Sequence, residues 1–230
     1  MSIFTIADTH LSFSSDKPMD VFGGWSDYVQ RLEVNWRRLI TDEDTVVIPG
    51  DISWAMSLEG AEEDFRFLHN LPGKKIILKG NHDYWWTTKK KMDNFLIEKG
   101  FDTISILHNN AFKVGNYVLC GTRGWFYDAE KSADMKVLLR EASRLERSIE
   151  EGKKLDGEII VFLHYPPVMQ MGKCEEIFSV LEKHGITRCY YGHLHGESTR
   201  RSVTQKVDGV ELSLISADFL AFCPQLVEKI

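Results

Sequence analysis

The chain has 230 residues, 43% hydrophobic and 27% charged, which is the ordinary balance of one large α/β domain with apolar material for a sizeable core. A formal charge of −6 without a long block of like charges argues against global attraction to nucleic acid or an anionic membrane, and Lys89-Lys90-Lys91 is short enough to be a solvated helix start. No run has the apolar length of a membrane span, and Met1-Ser2-Ile3-Phe4-Thr5-Ile6-Ala7-Asp8 lacks the form of a signal peptide, so a cytoplasmic location is expected.

Ile3 to Ala7 is a β run that stops at Asp8. Leu11 to Gly24 has no periodicity, and Val29, Leu32, Trp36, Leu39 and Ile40 then fall at helical spacing. Thr45 to Ile48 predicts a strand closed by Pro49-Gly50. Ala61, Phe65, Leu68 and Leu71 predict a helix ended by Pro72-Gly73. Ile76 to Leu78 predicts a strand closed by Gly80, and Thr87 or Thr88 can cap a helix with Met92, Phe95 and Leu96 on one face. This alternation argues for a parallel sheet with crossover helices. Further strands are expected at Thr103 to Leu107, Tyr117 to Cys120, Glu158 to Leu163, Arg188 to Tyr191 and Val210 to Ile215. Between them lie a charged helix through Val137, Leu138, Glu141, Leu145 and Ile149 and a shorter one from Cys174 to Lys183. With no repeat and no Ser/Gly-rich linker, residues 1–230 read as a single domain. Cys120, Cys174, Cys189 and Cys223 are too scattered for a disulfide framework or a zinc–thiolate site and read as reduced thiols.

The chemistry lies at the strand ends. Asp8-x-His10 closes the first strand, Asp51 follows Gly50, and Asn81-His82-Asp83 follows Gly80. His164 ends the strand before Pro166-Pro167, and His193-x-His195 follows Gly192. Ligands bind at the carboxyl ends of strands in open α/β sheets, so five strand ends deliver oxygen and nitrogen donors to one edge. Carboxylate, amide and imidazole without thiolate suit Mn²⁺, Fe or Zn²⁺ better than Ca²⁺. Asp8, His10, Asp51, Asn81, His164, His193 and His195 are too many donors for one tetrahedral ion but suffice for two ions if a carboxylate bridges them. Such pairs sit about 3.5–4 Å apart in two-metal sites. Each motif alone is weak, since Gly-Asp is commonly a turn. Their joint occurrence, each after a strand, makes chance improbable. His69, His108 and His184 lack such partners and read as surface or packing residues.

Taken together, these motifs resemble the calcineurin-like metallophosphoesterase superfamily over residues 8 to 195. The resemblance implies a four-layer α/β/β/α sandwich, two mixed sheets flanked by helices, with a dinuclear site at one end. It implies that Asp8, His10 and His195 bind one ion, that Asp51 bridges, and that Asn81, His164 and His193 bind the second. His82 would face the substrate as general acid, oriented by Asp83. Two departures stand out. Trp54 occupies the last position of the frequent Gly-Asp-x-x-Asp pattern, which removes a usual support of that loop, and Leu163 stands where Gly often precedes the histidine. The expected activity is hydrolysis of a phosphomonoester or phosphodiester. A nuclease with the same site is disfavoured by net charge, and a non-catalytic metal-binding module by the intact set of donors. Arg123 is placed to hold a phosphate oxygen or to form a surface ion pair. Trp54, Tyr84, Trp85, Trp86, Trp125 and Tyr165 can stack on substrate or pack the rim.

Overall fold

Side chains of a strand alternate between faces, and in this chain the alternation divides the apolar residues among three core layers. The computed structural model describes residues 1–125 and 132–230. β1 (Ser2–Thr5), α1 (Tyr28–Leu39), β2 (Thr45–Pro49), α2 (Glu62–Asn70), β3 (Lys74–Leu78), α3 (Lys89–Lys99) and β4 (Ile104–Ile106) come first. They are followed by β5 (Phe112–Val114), β6 (Tyr117–Thr122), α4 (Ser132–Gly152), β7 (Glu158–Leu163), β8 (Val168–Met169) and β9 (Gly172–Lys173). The chain ends with α5 (Glu175–Lys183), β10 (Arg188–Tyr191), β11 (Lys206–Val207), β12 (Val210–Leu214) and β13 (Gln225–Lys229).

One sheet has the order β13-β1-β2-β3-β4, parallel except for β13. The other runs β11-β12-β10-β7-β6-β5, with a parallel centre and antiparallel edges β5 and β11. Val46, Ile48 and Ile77 point out toward α1, α2 and α3, whereas Val47, Ile76 and Leu78 point in. In the second sheet Val161, Leu163, Cys189 and Tyr191 face α4 and α5, while Ile160, Phe162 and Tyr190 face inward. The inward sets meet in one buried layer, so the architecture is the expected α/β/β/α sandwich of two mixed sheets.

Each helix turns an apolar stripe to its sheet. On α1 the buried residues are Tyr28, Leu32 and Trp36, so Leu32 and Trp36 hold the expected stripe and Ile40 just beyond the helix is buried with them, whereas Tyr28 is buried in place of half-buried Val29 and Leu39 is left exposed. Thr88 caps α3 and accepts from the Lys91 amide, which places Lys89-Lys90-Lys91 in the first turn. The short edge strands have no sequence signal because they offer no apolar run. β13 buries only Val227. β1 ends at Thr5 instead of Ala7, and the reason bears on the site. The Ile6 amide donates to Val47 of the first sheet at 3.2 Å, while that of Ala7 donates to Ile215 of the second at 2.8 Å. The chain therefore crosses the seam between the sheets just before Asp8.

Candidate metal centre

Five parallel strands, β1, β2, β3, β7 and β10, end at this seam, and each releases its polar residues there. The turns are sharp. Asp8, His10, Asp51 and His193 all lie in the left-handed region, with φ of 61°, 44°, 50° and 74°. Non-glycine residues adopt this backbone only where the surroundings hold it. Gly80 must be glycine because a Cβ there would fall on the Asp51 carboxylate and amide. Gly50 has φ +88°, and a Cβ there would lie 2.7 Å from both the Gly80 Cα and His164 Nδ1.

The expected donors converge in two groups. Ligand atoms of Asp8, His10 and His195 lie within 4.8 Å of one another, as do those of Asp51, His164 and His193. Asp51 Oδ2 stands between the groups, 3.8 Å from His10 Nε2 and 3.5 Å from His164 Nε2. Asn81 joins the second group: its Oδ1 is 2.7 Å from His164 Nε2 and 2.9 Å from His193 Nδ1.

This donor set fits cations on grounds of acceptor chemistry. With Nδ1 donating to the Pro49 carbonyl at 3.1 Å, a neutral His164 ring presents Nε2 as an acceptor, facing the acceptor Oδ1 of Asn81. His10 Nε2 lies 3.3 Å from His195 Nε2, close enough for one ring to donate to the other. Asp8 Oδ1 is buried with no hydrogen-bond partner among the described residues. Lone pairs that face one another in a buried site call for positive charge between them.

Electrostatics agree. Burial, and then the charge of Asp8, pushes Asp51 up to about 8, and burial followed by Asp51 pushes Asp83 up to about 7. Burial also acts to raise Asp8, but the pull of His195, His164 and His10 outweighs it and holds this carboxyl below its ordinary value. Burial holds His10, His82 and His164 below the ordinary imidazole value and takes His193 down to about 3. Three carboxylates crowded in a buried site are relieved by a divalent cation.

Asp83 is expected to orient His82, yet among the described residues its carboxylate makes no hydrogen bond to that ring. It accepts N–H bonds from Gly80 (2.7 Å), Asp51 (2.9 Å), Ile52 (2.8 Å), Ser53 (3.2 Å) and the Trp85 indole (3.0 Å). Five donors saturate both oxygens, so the carboxylate supports the loop that carries Asp51. Asp64 continues that support through the Ser53 hydroxyl and the Phe13 amide. Trp54 itself is a wall of the site, stacked on His10 at 5.0 Å and 4.4 Å from the His82 ring. His82 stands outside both groups. It donates its amide to Asp51 Oδ1 at 2.7 Å, and its Nδ1 is 3.3 Å from the hydroxyl of exposed Tyr84. Tyr165 packs on His193 at 4.3 Å, and burial pushes its hydroxyl up to about 12. The Arg123 guanidinium lies 3.5 Å from Glu141 and 4.8 Å from the Trp125 ring centroid, a buried contact and not the surface ion pair that the sequence offered as an alternative.

Sequence reasoning missed Asp218. Its Oδ1 accepts from His195 Nδ1 at 2.8 Å and its Oδ2 from the Gly196 amide at 2.8 Å. Although burial alone would lower it, His195 is held up at about 10 by Asp8 and Asp218. The available signal was position, since Asp218 follows β12 much as the other donors follow their strands.

A family model, calcineurin-like phosphoesterase, matches residues 1–197. The chain belongs to this family. A curated relative from Fibrobacter succinogenes, named a probable cyclic nucleotide phosphodiesterase, is 28% identical over 169 residues, covering 69% of this chain and 60% of the relative. The match therefore spans 60% of that relative's length. Among solved structures, the protein TT1561 of Thermus thermophilus superposes with a TM-score of 0.59 at 12% identity, covering 98% of this chain and 97% of that one. A phosphopantetheinyl hydrolase from Mycobacterium tuberculosis gives 0.53 at 14% identity, covering 98% and 95%. At these identities the structural likenesses show the shared fold. Asp218 lies beyond the matched family segment. No described helix is long and apolar enough to cross a membrane.

Proposed function

We propose that the protein is a phosphoric ester hydrolase, that Asp8, His10 and His195 hold one divalent cation, and that Asn81, His164 and His193 hold another with Asp51 between them. The observation that carries this reading is the pairing of two buried acceptor clusters on either side of Asp51 Oδ2. Bound divalent ions supply Lewis-acid stabilisation of phosphoryl oxygens and make a water more acidic. Mn²⁺, Fe and Zn²⁺ suit the donor chemistry, which lacks thiolate. The residues do the rest. Trp54 and Trp25 wall the first cluster against water, with their rings 5.0 and 5.8 Å from His10. His82, outside both clusters, delivers a proton to the leaving oxygen, and Tyr84 steadies its ring. Tyr165 closes the side of the second cluster over His193.

The substrate is a small phosphodiester or monoester, reached in the aqueous phase. The name of the Fibrobacter relative favours the diester, and the −6 charge disfavours long nucleic acid. Residues 1–230 act as one unit, a reading supported by β13 pairing with β1 at the opposite end of the chain.

The test is metal analysis joined to turnover. The purified protein should carry close to two equivalents of metal and cleave a chromogenic diester with Mn²⁺. Asp51→Asn should lose most of both properties, and near-normal metal content and rate in that variant would sink the dinuclear reading. His82→Gln should keep its metal yet slow esters with poor leaving groups by about 10²–10⁴-fold, and p-nitrophenyl esters far less. Equal losses across leaving groups would remove His82 from the role of acid.

A further inference from the structure

A cavity of about 390 Å³ opens between the start of α3, the ends of β3 and β6, and α4. Its walls carry Lys79, His108, Arg123 and Arg144 against one carboxylate among the described lining residues, Glu141. The side chain of Glu141 is 1% exposed and already engaged, by the Thr122 hydroxyl at 2.7 Å and Arg144 Nη1 at 2.6 Å. Arg123 Nη2 reaches the same oxygen only at 3.5 Å. The Arg144–Glu141–Thr122 chain explains how α4 is fastened to β6. It does not explain Lys79, nor why Arg123 Nε is buried without an acceptor among the described residues.

The described lining residues thus bring more positive charge than their one carboxylate neutralises. His108, read from the sequence as a surface or packing residue, is held below its ordinary value by burial and then by the charge of Arg144. The Trp125 ring, 4.8 Å from the Arg123 guanidinium, fixes the plane of that fork. The hydroxyl residues Thr87 and Thr88 border the same space. A planar guanidinium with free N–H donors, an ammonium, a second arginine and hydroxyls suit a tetrahedral oxyanion. The cavity also adjoins the metal centre through the backbone: Lys79 precedes Gly80-Asn81, and the Arg123 carbonyl accepts the amides of His164 and Tyr165 at 3.2 and 2.8 Å.

We propose that this cavity is a subsite for a phosphate-class dianion, separate from the phosphate that is cleaved, filled either by a second phosphate on the substrate or by free phosphate. The substrate form rests on the hydrolase reading above. The free-phosphate form does not.

The manganese-loaded protein would be assayed with two p-nitrophenyl phosphodiesters that differ only in one additional terminal phosphate. The wild type should show a KM about 10-fold or more lower for the doubly phosphorylated ester. The double variant Glu141→Gln/Arg144→Gln leaves no buried carboxylate unpaired and should bring that ratio to within about 2-fold. Lys79→Gln provides the same comparison if the double variant does not fold, as judged by its thermal melt. A calorimetric titration with inorganic phosphate supplies the second arm. Phosphate binding that survives in Asp51→Asn but disappears when Arg144 is also replaced would identify free phosphate as the occupant. Equal KM values for the two esters in the wild type, together with phosphate binding indifferent to Arg144, would overturn the subsite. If neither ester is cleaved, the diester reading fails and the calorimetric arm alone decides the cavity.

Discussion

Replacing Asp218 by Asn tests how far the metal centre depends on a residue outside the matched family segment. The carboxylate makes two bonds of 2.8 Å, one to His195 Nδ1 and one to the Gly196 amide. Asparagine can keep one neutral acceptor but not both, and it removes the negative charge that raises the basicity of the imidazole. Partners of this kind, behind a metal-binding histidine, are worth about 10–100-fold in metal affinity. That corresponds to about 1.4–2.7 kcal/mol. The side chain of Asp218 is only 10% exposed, so solvent screens the interaction little, and the upper half of the range is expected.

The assay is calorimetric titration of the metal-free variant with Mn²⁺. His195 belongs to the cluster with Asp8 and His10, while His164 and His193 lie in the other. One class of site should therefore weaken while the second keeps its affinity. Two sites weakened alike, or neither, would refute the assignment of Asp218 to a single cluster. Asp218→Glu should restore part of the lost affinity, because it returns the charge at a changed reach.

Gly80→Ala should destabilise the fold by about 1–3 kcal/mol and lower metal content, because the added Cβ must displace the Asp51 loop; a thermal melt and metal analysis check both. Burial pushes the thiols of Cys120 and Cys174 up to about 12 and 11, and that of Cys189 higher still. At pH 8 these three thiols stay protonated, so mass spectrometry after brief alkylation should find them unmodified and half-buried Cys223 labelled first.

The strands and most of the centre were legible because both rest on local signals. Val46 to Ile48 and Ile160 to Leu163 are buried on both faces and so appear as unbroken apolar runs. The donors follow at the next turn, often announced by a glycine that close packing demands. What could not be read depends on where distant segments meet. Asp83 sits beside His82 in sequence, and adjacency suggested a pair, but the turn aims its carboxylate back at the Asp51 loop. Asp218 looks like any exposed loop acid until β12 is placed beside β10. The cation-lined cavity needs Lys79 from one sheet, Arg123 from the other and Arg144 from a helix. No window of sequence holds all three.

Asp83→Asn discriminates between the two roles considered for that residue. A residue that orients His82 would, when replaced, reproduce the His82→Gln pattern in weakened form, with metal retained and losses graded by leaving group. The hydrogen bonds argue for a different outcome. One oxygen of Asp83 accepts from Gly80 and Asp51, the other from Ile52, Ser53 and Trp85. An amide NH₂ in place of either oxygen faces at least two N–H donors with donors of its own, inside a fully buried site. Losing two charge-assisted bonds there costs about 3 kcal/mol or more. The loop so held includes Asp51 at φ 50°, and a left-handed non-glycine residue costs about 1–3 kcal/mol to maintain. Without its clamp the loop relaxes, and Asp51 leaves its place between the clusters. Asp83→Asn should therefore lose metal and slow all esters by a similar factor, whatever the leaving group. Retained metal with losses confined to poor leaving groups would return Asp83 to the service of His82 and show that the Asp51 loop holds its shape without it.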